Sequence, residues 1–181
     1  MRLRLAFVSL LTLCAASFPA RADDFFSFGE DDPDFLEVQG GSFDINRAHT
    51  AAFGLEYRSD YKLLSILKPM VGGMTTTRGA VYGYAGFAVD LHLGEHFVLT
   101  GSEAIGAYGR GNDANLGVAV PEFRSAIEAA YRFDDGSRLG VLFHHISNAG
   151  VSSRNPGAET LMLTYAYPVP KLLEQVLGKQ D

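Results

Sequence analysis

Between Phe35 and Pro168 apolar and polar residues alternate in sustained runs, the period-2 signature of β-strands with one greasy face and one polar face. Turn residues divide this stretch into eight segments, roughly 35–45, 49–59, 63–76, 80–93, 97–110, 121–134, 137–148 and 158–168. Each has about 10 to 14 residues, the length a tilted strand needs to cross a bilayer. Short turn-like connections at Ser59–Lys62, His92–His96 and Asp134–Ser137 fall at alternate joints, and an even strand count lets both termini lie on one side. The alternation is clearest in the sixth segment. There Phe123, Ser125, Ile127, Ala129, Tyr131 and Phe133 interleave with Glu122, Arg124, Ala126, Glu128, Ala130 and Arg132.

Two barrels share this pattern. In a water-soluble lipocalin-like carrier the apolar face surrounds a ligand; in an outer-membrane barrel it faces lipid and charged pairs fill the interior. The membrane version is favoured by Leu161, Leu163, Tyr165 and Tyr167 on one face of the eighth segment, with the aromatics where an interfacial girdle sits. Eight strands also leave a lumen just wide enough for side chains, among which Glu56, Arg58, Glu122, Arg124, Glu128 and Arg132 can pair. The expected fold is therefore an all-β, eight-stranded antiparallel transmembrane barrel over residues 35–170.

The ends and the composition narrow this further. Residues 1–22 carry early arginines, an apolar run from Leu5 to Ala16 and an Ala20-Arg21-Ala22 cleavage site, which reads as a secretory signal peptide. Its removal takes away Cys14, the one cysteine, so no disulfide is expected. It also lowers the 15 basic residues to 12 against 21 acidic ones, a net charge of −9 that excludes nucleic acid as a partner. No later apolar run is long enough for a membrane-spanning helix. Residues 23–34 form an acidic arm expected to be solvated, without the loop spacing of a calcium site. In the tail, 171–181, Leu172, Leu173, Val176 and Leu177 recur at helical spacing, compatible with a short amphipathic helix or a frayed end.

The candidate chemistry is concentrated in Phe143–Glu159, which sets a histidine, a serine and a carboxylate around one loop. Residues two apart on a strand share a face, so His145 and Ser147 align with Leu139, Val141 and Phe143, and Glu159 aligns with Leu161 and Leu163 on the neighbouring strand. All three point toward lipid, where ionisable groups are rare without a function. With the N-terminus in the periplasm they lie near the outer leaflet. His144 has the opposite parity and is expected to be a hydrogen-bonded interior residue.

Phe143-x-His145-x-Ser147-Asn148-Ala149-Gly150, followed by Asn155-Pro156-Gly157-x-Glu159, resembles the signature of the outer-membrane lipid A 3-O-deacylase family, PagL. The resemblance covers about 25 residues; the rest agrees in length, export signal and strand count. It implies a His145, Ser147, Glu159 triad on the outer surface of an eight-stranded barrel and hydrolysis of the ester-linked 3-hydroxyacyl chain at position 3 of lipid A, without metal or other cofactor. Asn155 and the backbone near Gly150 are the implied oxyanion donors, with Asn148 a further candidate. The expected partners are lipid A or lipopolysaccharide as substrate and the surrounding outer-membrane lipids, with a homodimer left open. The rival readings are a structural or adhesive barrel without enzymatic activity and the periplasmic lipocalin-like carrier. One departure from the usual outer-membrane pattern is that the last strand does not end the chain but continues through Pro168 and Pro170.

Overall fold

The computed structural model describes residues 25–116, 121–151 and 155–178. The proposed signal peptide lies outside these residues. Eight long strands, β2 (Phe35–Phe43), β3 (Thr50–Arg58), β4 (Lys68–Thr76), β5 (Val81–Leu93), β6 (Phe97–Gly109), β7 (Glu122–Arg132), β8 (Arg138–Ser147) and β9 (Ala158–Pro168), follow a short β1 (Phe26–Phe28). Each long strand pairs antiparallel with its successor, and β9 returns to pair with β2, Phe35 opposite Pro168 and Phe43 opposite Thr160, which closes the barrel. The expected eight-stranded antiparallel membrane barrel is the fold observed.

Inside and outside follow the parity of the strands. The outward residues Val38, Phe53, Leu55, Val71, Ile127, Val141 and Leu163 are exposed, and form an apolar belt. Near the end where β2 begins and β9 finishes, Tyr131 stands beside Phe97 and Leu139, and Leu139 beside Tyr165, the arrangement of an aromatic girdle. The lumen is not a ligand cavity. Its half near the start of β2 is charged: Arg58 contacts Glu56 at 2.8 Å, Glu128 at 3.3 Å and Glu37 at 3.5 Å, and Arg124 lies 3.8 Å from Glu56. Buried ions of this kind are tolerable only when mutually neutralised. The opposite half is apolar, with Phe43, Met74, Tyr82, Leu142, Ile146, Ala158 and Met162 packed together. A water-soluble carrier, whose apolar face would line the lumen, does not fit this inversion.

Several expectations need correction. Glu122 is buried, but its Oε2 has no partner among the described residues, and Arg132, partly exposed, contacts Glu30 of the N-terminal arm at 3.8 Å. His144 is buried as its parity requires, and its Nδ1 has no hydrogen-bond partner among the described residues. The third strand starts at Lys68 rather than Leu63, because Leu63 bridges to Leu67 around Leu64 and Ser65, both at positive φ. The Ser59–Lys62 turn is thus the first part of a longer connection.

The acidic arm is not simply solvated. β4 ends its pairing with β5 at Lys68 opposite Ala88, leaving the far end of β5 with an open edge, and β1 fills it with Phe26–Phe28 opposite Leu91–Leu93. This places Asp32 in the mouth of the barrel, 2.7 Å from Lys68, 2.8 Å from Arg138 and 3.2 Å from His92. The barrel ends at Pro168, not at 170. There Pro170, which cannot continue a ladder but suits the first helical turn, opens helix α1 (Val169–Leu177). Lys171 Nζ donates to Asp135 O at 2.5 Å and Gln175 Nε2 to the Tyr167 hydroxyl at 2.8 Å, so the helix is tied to the barrel rim.

Candidate functional site

His145 and Ser147 are the last two outward positions of β8, and Glu159 is the first outward position of β9. Behind them Ile146 and Ala158 are fully buried in the apolar half of the lumen, so the backbone that carries the three side chains rests on packed core. His145 lies directly opposite Glu159 in the ladder, and its Nδ1 is 3.2 Å from Glu159 Oε1. An ionised carboxylate can only accept, so Nδ1 carries the hydrogen and Nε2 presents its lone pair. Ser147 lies one outward step along the same strand. Its Oγ accepts a 3.5 Å contact from the Ala149 N–H and makes no hydrogen bond to His145.

Glu159 is held from a second direction that the sequence did not suggest. In the connection between β2 and β3, Asn46 Nδ2 donates to Glu159 Oε2 at 2.6 Å, and Ile45 N–H donates to the Glu159 backbone carbonyl at 2.9 Å. Arg47 beside them pairs with Asp44 at 2.8 Å and donates to Gly157 O. These residues are more than a hundred positions away in the chain, and only barrel closure through β2 and β9 brings them here. Their one sequence signal was position, at the end of the strand that must close against the last.

Gly157 has a positive φ of 62°, and a Cβ there would stand 2.5 Å from His145 Cε1 and 3.0 Å from Nε2. Glycine is thus required for both the turn and the space beside the imidazole. The sequence-predicted donors sit in the adjoining loop. Asn155 Oδ1 accepts from Asn148 N–H at 3.0 Å, which fixes its amide and leaves the Nδ2 hydrogens without a partner among the described residues. Gly150 N–H is engaged by Asn148 Oδ1 at 3.0 Å, and the Asn148 side chain, fully buried, also donates to Leu116 O at 3.4 Å. Asn148 therefore acts as the clamp of the loop, and its side chain does not face the outer surface.

The polar surface extends beyond the three predicted residues. Ser125 of β7 is directly opposite His145, and Glu103 of β6 is directly opposite Ser125. Both point outward, and Ser125 Oγ donates to Glu103 Oε2 at 2.8 Å. The only three-residue set of potential metal ligands among the described residues lies elsewhere, at Asp32, Asp90 and His92, whose ligand atoms fall within 4.8 Å of one another. Lys68 and Arg138 each contact both carboxylates there, so the set is already neutralised as an ion-pair plug.

Residues 72–168 match the family model described as lipid A 3-O-deacylase (PagL). Among characterised proteins, the lipid A deacylase PagL of Pseudomonas aeruginosa is 38% identical over 60 residues, 33% of this chain and 34% of that protein. The lipid A deacylase PagL of Bordetella bronchiseptica is 34% identical over 55 residues, 30% of each chain. The aligned segments thus span about a third of those relatives. The crystal structure of the outer membrane enzyme PagL superposes with a TM-score of 0.62 at 19% identity, covering 75% of this chain and 99% of that one. By the match of its family model over more than half its length, the chain belongs to the lipid A 3-O-deacylase (PagL) family.

Proposed function

We propose that this protein is a serine esterase of the outer membrane that removes the 3-hydroxyacyl chain ester-linked at position 3 of lipid A, with the substrate entering laterally from the outer leaflet. The observation that carries this reading is the 3.2 Å His145–Glu159 pair on the lipid-facing surface, one strand position from Ser147. A carboxylate and an imidazole facing hydrocarbon are costly unless they act on something that resides there. Family membership supplies the substrate class.

In this mechanism Ser147 Oγ attacks the ester carbonyl and His145 Nε2 accepts its proton. Apo catalytic contacts are often long and tighten when substrate binds, and the Ser147–His145 pair is of this kind. Glu159 stabilises the imidazolium through Nδ1, and its bond to Asn46 keeps the carboxylate turned toward the ring. The developing oxyanion is met by Asn155 Nδ2 and by the Gly150 N–H, which exchanges Asn148 Oδ1 for it. His145 then protonates the departing sugar oxygen, and water, activated by the same imidazole, releases the fatty acid from Ser147.

The test is mass spectrometry of lipid A after incubation with the refolded barrel in detergent. The expected result is loss of one 3-hydroxyacyl chain with wild type and no loss with Ser147→Ala. Unchanged lipid A with folded wild-type protein, across several acylation patterns, would move the assignment to a structural barrel.

A further inference from the structure

The mechanism accounts for the side chains that face the lipid, but not for the segment that crosses the outer mouth of the barrel behind them. That segment is the described part of the β6–β7 connection, Arg110–Leu116. Its backbone is fastened to the β4–β5 turn, where Asn112 N–H donates to Arg78 O at 3.0 Å. Asp113 ties it to two strands that do not neighbour β6: its carboxylate accepts from Thr76 Oγ1 of β4 at 2.8 Å and from Thr50 Oγ1 of β3 at 3.1 Å. Farther along, Leu116, fully buried, enters the apolar cluster of the lumen that includes Phe43, Tyr82, Ile146 and Ala158. The connection therefore corks the barrel at the end where Ser147 and Glu159 stand.

This cork is bonded to the loop of the candidate site. Asn148, next in sequence to Ser147 and completely buried, donates from Nδ2 to Leu116 O at 3.4 Å. Its Oδ1 accepts from Gly150 N–H at 3.0 Å, and its own backbone N–H donates to Asn155 Oδ1 at 3.0 Å. An amide side chain has one accepting end and one donating end. With a carbonyl on one side and an N–H on the other, a single orientation of the Asn148 amide satisfies both. Displacing the Leu116 carbonyl removes half of that constraint and leaves a buried donor short of a partner, a cost the loop relieves by shifting. A continuous line of contacts thus runs from Asp113 through Leu116 and Asn148 to Gly150 and Asn155, the proposed oxyanion donors.

We infer that Leu116, held across the mouth by Asp113, is a positioning residue for the oxyanion donors: its seat in the lumen sets the Asn148 amide, and Asn148 sets Gly150 and Asn155. This role rests on the deacylase reading and on those two donors. Leu116 is enclosed in the lumen and does not meet the substrate. Its effect therefore falls on stabilisation of the transition state and spares substrate binding.

The experiment measures kcat, KM and the urea midpoint of the refolded protein in detergent, with lipid A as substrate. Leu116→Ala should lower kcat by about 10- to 100-fold, the scale of a small misplacement of catalytic groups, and leave KM unchanged. Leu116→Met, which keeps the volume, should retain kcat. Met74→Ala controls for packing, since Met74 belongs to the same cluster but lies on β4, across the barrel from β8. It should lower the urea midpoint and leave kcat unchanged. In an Asn148→Ala background Leu116→Ala should slow the reaction no further, because the line of contacts is already cut. A wild-type kcat in Leu116→Ala, an equal loss of kcat in Met74→Ala, or a full additional loss in the Asn148→Ala background each overturns the positioning role while leaving the deacylase intact. If Leu116→Ala does not refold, Asp113→Ala, which cuts the tether instead of the core, carries the same comparisons with the loss again expected in kcat. Folded wild type that leaves lipid A unchanged overturns the deacylase reading itself.

Discussion

Gly157 shows how narrowly the candidate site is built. Alanine there meets two obstacles, a left-handed backbone that costs an L-residue roughly 1–2 kcal/mol and a methyl group 2.5 Å from the His145 ring. The ring is the part that can move, so Gly157→Ala should yield a folded barrel whose deacylation rate falls by about a hundredfold, the scale of a 1 Å misplacement. A near-wild-type rate would show that His145 is not held by that turn. Asn46→Ala probes the other side of the same machinery. It frees one oxygen of Glu159, and loss of a single charge-assisted bond should slow the reaction about tenfold without changing the urea midpoint. His145, Ser147 and Glu159 were legible in the sequence because strand parity and one hairpin fix them locally. Asn46 was not, since it reaches Glu159 through the β2–β9 closure, which no local pattern encodes. Ser125 was visible as a polar residue on a greasy face, but its place beside His145 depends on the register of β7 against β8.

At the level of elements, the alternating pattern located all eight long strands, usually to within two residues of their ends. It failed where another rule overrides alternation. Leu63–Leu67 reads as strand by composition but folds back on itself, and β1 is too short and too near an acidic run to announce a ladder. What β1 accomplishes is to deliver Asp32 to Lys68 and Arg138. Removing one partner from such a buried cluster leaves cations uncompensated, so Asp32→Asn should cost about 3–5 kcal/mol, measured by urea unfolding of the barrel in detergent. A cost below about 1 kcal/mol, the level of an exposed pair, would mean that water already screens the barrel mouth. The pH dependence has a defined sign. Burial pushes the Asp32 carboxyl up, but the His92 hydrogen bond and the charges of Arg138 and Lys68 outweigh it and hold the carboxyl well below its ordinary value of 3.8. A lowered folded-state pKa means that this contribution is complete above the unfolded value and is lost as pH falls toward the folded one. The wild-type and Asp32→Asn urea midpoints should therefore differ by a constant amount at neutral pH and converge only in strong acid, below the ordinary carboxylate range.

For the whole molecule the decisive property is which face is greasy. Charges and packed side chains occupy the lumen, and the belt of Val38, Leu55, Val71, Val141 and Leu163 faces outward, so the solvent of the middle of the barrel must be hydrocarbon. Leu163 lies at the centre of β9 and is 65% exposed, a position where a soluble protein would accept arginine without cost. In a bilayer the same change puts a guanidinium near the midplane. Leu163→Arg should destabilise the barrel by roughly 2–4 kcal/mol when folded into phospholipid vesicles, with a smaller penalty when the arginine is placed at Tyr167 in the rim. Equal and negligible penalties at both positions would contradict a membrane-spanning belt.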